Sequence, residues 1–142
     1  MQLCFESLPK NIAKNTKSPY IFRLQDRLPH NMRRVLHIGP CESNGGMKNV
    51  MLDLSNNPPT GFEASLLSSH NTGSVIGKWK AYRKAMKDLS QIISNPYSKP
   101  DVVHIHTAAD WSWRRKKRFV IKARQANIAT VIHIHSGKFN TW

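Results

Sequence analysis

Two histidine pairs are the residues most suggestive of chemistry: His104/His106 and His133/His135, each in a short apolar run. In an extended strand, side chains two positions apart lie on one face, so each pair points its rings the same way. If the two runs form neighbouring strands, four imidazoles cluster, which opens a metal reading with Asp110 as an extra ligand. The stretch HIHTAAD matches neither HxHxDH nor HExxH, however, and no Cys or Glu stands nearby. The sequence therefore predicts no metal and no cofactor. His106 and His135, the last of each pair, are expected to reach the edge of a site, with His104 and His133 hydrogen-bonded inside the core.

A second candidate is the glycine-bearing stretch GPCESNGG, residues 39–46, which follows an apolar run and precedes a helical pattern. Backbone N–H groups at such a turn approach a phosphate closely when no side chain intervenes. The spacing is not GxGxxG, and the GK[ST] ending of a P-loop is missing, so a plain strand-to-helix turn built on Gly45 and Gly46 stands equally well. The third candidate is Trp111-Ser112-Trp113 followed by Arg114, Arg115, Lys116, Lys117 and Arg118. Five cations at the start of a helix oppose its dipole, so an anionic partner would relieve them. Nucleic acid, an anionic membrane surface, a phosphorylated lipid and a merely solvated face all remain open.

The elements that must position these residues read as alternating strands and helices. Val35-Leu36-His37-Ile38 is an apolar, β-branched run that ends at Gly39-Pro40 and predicts a buried strand. Met47, Val50, Met51 and Leu54 fall at i, i+3, i+4 and i+7, one apolar helix face, stopped by Pro58-Pro59. A second strand is expected over Phe62–Leu67, and a long helix over Ile76–Ile93, where apolar residues recur every three or four positions between lysines. Asp101–His106 reads as a strand, Trp111–Asn127 as a basic helix and Ala129–His135 as a last strand. The order β-α-β-α-β-α-β predicts an open parallel sheet with flanking helices, the Rossmann-like class. Ser136 to Trp142 follows the last strand with no further helix, so the fold reads as incomplete. Residues 1–32 mix prolines, lysines and asparagines without period and are expected to form a basic, flexible extension, with the domain over 33–142.

Composition bounds these readings. The chain has 142 residues, 39% of them hydrophobic, enough for one modest domain. Lys+Arg 22 against Asp+Glu 8 gives a formal charge of +14, which draws the chain toward phosphate, nucleic acid or anionic lipid. Cys4 and Cys41 are too few for a disulfide scaffold, so a reducing, cytoplasmic setting is expected. No run of about 18 apolar residues marks a membrane span, which leaves peripheral contact at the inner membrane face as the expected form of any membrane association.

Taken in order, RRVLHIGPCESNGGMKNVMLDLS and DVVHIHTAADWSWRRKKRFVIKARQANIATVIHIHSGKF resemble the N-terminal domain of the family-four GT-B glycosyltransferases. The similarity runs from Arg33 to Phe139, and its most specific part is Asp101 to Gly137. What the resemblance implies is sugar transfer from a nucleotide-sugar donor to a glycan or lipid-linked acceptor, with retention and without a bound metal. It places Gly45 and Gly46 against the donor diphosphate and makes His135 the catalytic-site histidine facing the reacting sugar. The acceptor, or the membrane that carries it, would meet Trp111, Trp113 and Arg114 to Arg118. The family's second, donor-binding domain has no counterpart here, so the chain alone is expected to be inactive, being either the front part of a longer or interrupted gene product or one half of a split enzyme whose partner chain carries the other half. The alternative reading is a small basic module that binds nucleic acid or an anionic membrane.

Overall fold

The computed structural model describes residues 32–41 and 45–136. The expected basic extension, Met32 apart, and the tail after Ser136 lie outside them. Four strands and three helices alternate: β1 (Arg33–Gly39), α1 (Gly46–Asn56), β2 (Phe62–Ser68), α2 (Val75–Ser94), β3 (Val102–Thr107), α3 (Trp111–Gln125) and β4 (Ala129–Ile134). The strands form one all-parallel sheet in the order β2-β1-β3-β4. This is an α/β, Rossmann-like open sheet with flanking helices, as the alternation requires.

The order places β1 between its partners, with His37 opposite both Leu66 and His104, and aligns His106 with His133. Alternation along the strands then sorts side chains onto two faces. On one face Leu36, Ile38, Leu67, Val103 and Ile105 pack against Ala85 and Leu89 of α2 and Phe119 and Ala123 of α3. Phe119 is fully buried and meets Tyr82 edge-on, ring centroids 5.6 Å apart. Burial of each such large side chain contributes roughly 1.5–3 kcal/mol. The other face holds a smaller cluster, Cys41, Met51 and Leu66, under α1. Gly39 lies there against Met51 and the Cβ of His106, leaving no room for a side chain.

Local chemistry sets the helix ends. Ser74 caps α2 by accepting a hydrogen bond from the N–H of Gly77 at 3.1 Å. The end of α3 closes with the N–H of Asn127 donating to the carbonyl of Arg124 and that of Ile128 to Ala123, a Schellman arrangement. Asn127 takes φ 55 to allow it, and Ile128 tucks into the core. At the far edge, Val131, Ile132 and Ile134 of β4 are 48%, 40% and 43% exposed, so apolar surface shows on both faces of this strand.

Candidate functional site

In an open parallel sheet the strands' carboxyl ends are where loops and helix N-termini gather, and ligands bind at the crevice where the chain switches direction. Here that crevice lies between β1 and β3, the two central strands. Gly45 is the N-cap residue of α1 and carries φ 154, ψ 165, a backbone region essentially restricted to glycine. Among the described residues no side chain caps α1, and its first turn holds no acidic residue. Among the described residues nothing lies within 4 Å of where a Cβ would stand on Gly45 or Gly46, so backbone conformation rather than crowding selects glycine at Gly45.

Beside this turn is a cavity of about 220 Å³ whose walls include Ser69, His70, Ser112, Arg115 and Lys116. Lys116 corrects the sequence reading. Of the seven cations of α3 it alone is buried, 5% exposed. Its ammonium donates to the hydroxyl of Ser69, which in turn donates to the carbonyl of Gly39 at 3.2 Å. Burial pushes the Lys116 ammonium down to about 7, with Cys41 opposing and Arg115 reinforcing the shift. His70 is also held below its ordinary value, first by burial and then by Arg115, Lys78 and Lys116. The cavity's polar lining is thus basic groups and hydroxyls, set beside Pro40, Met47, Tyr82 and Phe119, and an anion entering it would meet Arg115 and Lys116. Lys116, Phe119 and Ala123 share one i, i+3, i+7 stripe, the signal that marks Lys116 as inward-facing.

The other cations lie outside. Arg114, Arg115, Lys117 and Arg118, with Trp111 and Trp113, line an open groove of about 830 Å³ between α2 and α3. The Arg114 guanidinium sits 4.9 Å over the Trp111 ring and that of Arg83 4.8 Å over Trp79. The expected anion-contact set is therefore divided between an outer groove and an inner cavity, with Arg115 lining both.

Among the described residues five histidines, rather than the expected four, gather on the α1 face, while His70 lines the cavity. His37 of β1, a lone histidine with no pattern of its own, joins because β1 lies next to β3. Its Nδ1 is 3.2 Å from Nε2 of His106, and Nδ1 of His106 is 3.0 Å from Nε2 of His135. His104 and His106 stack at 4.3 Å between centroids, His133 and His135 at 4.0 Å. The expected division of labour is inverted on β3. His106 is fully buried, whereas His104, like His133, is half-buried and held by ring contacts. Burial, and then the neighbouring imidazoles, hold His37 and His104 down to about 4, and His135 is lowered for the same reasons. His37 and His104 are therefore uncharged at neutral pH. Asp110, the expected extra ligand, is exposed at the N-cap of α3 and belongs to neither three-histidine group, His37/His104/His106 or His106/His133/His135.

The fold and this edge define a Rossmann-like α/β domain with a basic cavity on one side of the sheet and an imidazole cluster on the other. Comparison with protein families, with curated proteins and with solved structures finds no match to this chain. Among the described residues no helix is long and apolar enough to cross a membrane.

Proposed function

We propose that this chain is the acceptor-side domain of a retaining, GT-B-type glycosyltransferase, acting on a nucleotide-sugar and a glycan or lipid-linked acceptor. The observation that carries the reading is the crowding of the Gly45-Gly46 turn and the cavity of Arg115 and Lys116 at the strands' carboxyl ends, with His135 just past the end of β4. In this reading the N-terminus of α1 faces the donor diphosphate. Lys116 regains its proton when an anion enters, and the acceptor's own phosphate occupies the cavity. His135 offers an imidazole that hydrogen-bonds a sugar hydroxyl and orients it. The groove of Trp111 and Arg114 holds the acceptor's lipid or the inner membrane surface.

The nucleotide would be held by a second domain, in the same polypeptide or a partner chain. The test is transfer from a panel of nucleotide-sugars to lipid-linked acceptors, by the chain alone and with a family-four donor-binding domain added. Transfer is expected only in the second case, and it is lost with His135→Ala. Transfer by the isolated chain contradicts the divided site, and no transfer with any donor domain removes the reading.

A second reading rests on the groove itself, whose stacked Arg114/Trp111 and Arg83/Trp79 pairs suit a polyanion. A basic module of this kind binds random nucleic acid with steep salt dependence and does not distinguish lipid-linked sugar from plain anionic lipid.

A further inference from the structure

The histidine cluster reaches beyond sugar transfer, which in the proposed form uses only His135 and uses it in the metal-free state, so that cation binding and sugar orientation at His135 are alternatives. Three of its rings, His106 from β3, His133 from β4 and His135 just past the end of β4, bring one nitrogen each within 4.8 Å of one another. A tetrahedral ion with metal–nitrogen bonds of about 2.0–2.1 Å needs donors about 3.3 Å apart. The 3.0 Å between Nδ1 of His106 and Nε2 of His135 already fits one such edge. We propose that His106, His133 and His135 form a binding site for an imidazole-preferring divalent cation of the zinc type.

The geometry chooses this trio over His37/His104/His106, with which it shares His106, so that one ion fills one site. His133 and His135 are half-buried at the sheet's edge, on the same face as the exposed Val131, which gives the ion a way in and leaves a coordination position facing solvent. His106 cannot swing away, being fully buried beside Gly39. Ligation through Nδ1 of His106 leaves its proton on Nε2, where it is donated to Nδ1 of His37, 3.2 Å away. His37 then fixes the tautomer and the ring plane, the role an outer hydrogen-bond partner plays around bound zinc. Three imidazoles and an open position are the ligand set of a cation that binds water or an anion.

The full chain, stripped with chelator and dialysed, is titrated with cobalt(II) at neutral pH, and bound metal is counted. One cobalt per chain with the visible absorption of a tetrahedral nitrogen-ligated ion is expected, and one equivalent of zinc displaces it. His133→Ala and His135→Ala, at the accessible edge of the sheet, each weaken binding at least tenfold. His104→Ala, in the other trio only, leaves it within about twofold, with far-UV circular dichroism checking that each variant is folded. Failure of the wild-type chain to bind stoichiometrically overturns the proposal, as does loss of binding in His104→Ala with retention in His133→Ala. The result is independent of sugar transfer: cobalt is titrated without any nucleotide-sugar, and transfer is assayed with chelator present.

Discussion

Replacing Lys116 with methionine isolates the energetic consequence of enclosing an ammonium between α3 and the sheet. Lys116 is 5% exposed and its ammonium falls from 10.5 to about 7. Between those values the unfolded chain carries a proton that the folded chain lacks, so stability rises with pH. Below about pH 7 both states are charged and this contribution is flat. The slope is about 1.4 kcal/mol per pH unit, which over the whole interval integrates to nearly 5 kcal/mol. Relaxation and water entry around a buried charge reduce this, so the expected gain is about 2–5 kcal/mol. Lys116→Met keeps the length and the apolar stem. The Ser69 hydroxyl retains its bond to the Gly39 carbonyl, so no polar atom is orphaned. The variant should be more stable than wild type by that amount near neutral pH, and the difference should shrink as pH rises and vanish only above about pH 10.5. Urea unfolding followed by far-UV circular dichroism measures both curves. Parallel curves for wild type and variant across this range would refute the argument that Lys116 folds at the expense of its proton.

Three further outcomes follow from the packing. Gly39→Ala places a Cβ against the Sδ and Cε of Met51 and 3.2 Å from the Cβ of His106, and should cost about 1–3 kcal/mol in chemical denaturation. Asn127→Val forces a β-branched residue into the φ 55 conformation that closes α3 and should lower stability by about 1–2 kcal/mol, whereas Asn127→Gly should leave the thermal midpoint nearly unchanged. Arg114→Glu with Arg118→Glu should leave urea stability within about 0.5 kcal/mol, because both side chains are exposed. The same pair should weaken binding to random nucleic acid and reduce the steepness of its salt dependence, measured by fluorescence anisotropy.

The elements were largely legible because hydrophobic period and chain punctuation are local signals. The helix expected over Ile76–Ile93 spans Val75–Ser94, and the strand expected over Phe62–Leu67 spans Phe62–Ser68. The site was less so, because it is made by adjacency. His37 carries no HxH spacing and enters the cluster only because the chain returns β3 to the open side of β1. Lys116 sits in a charge run that reads as one solvated face, yet the i, i+3, i+7 relation to Phe119 and Ala123 outweighs the run. The burial of His106 escaped notice for a similar reason: strand period gives the face of a side chain but not which part of that face α1 and its neighbours cover.

The parallel topology also sets a timetable for synthesis. β1 pairs with β2 soon after both emerge, but its other neighbour is distant in the chain: His37 and His106 are 69 positions apart. At about 5–20 residues per second, the ribosome takes roughly 3 to 14 s to deliver β3 after β1. Throughout that interval the free edge of β1, with Leu36 and Ile38 still uncovered, is open to any passing strand. The most vulnerable moment for this chain is therefore not its folded lifetime but the pause before its central pair of strands can meet, and slow translation of the α2 segment lengthens it.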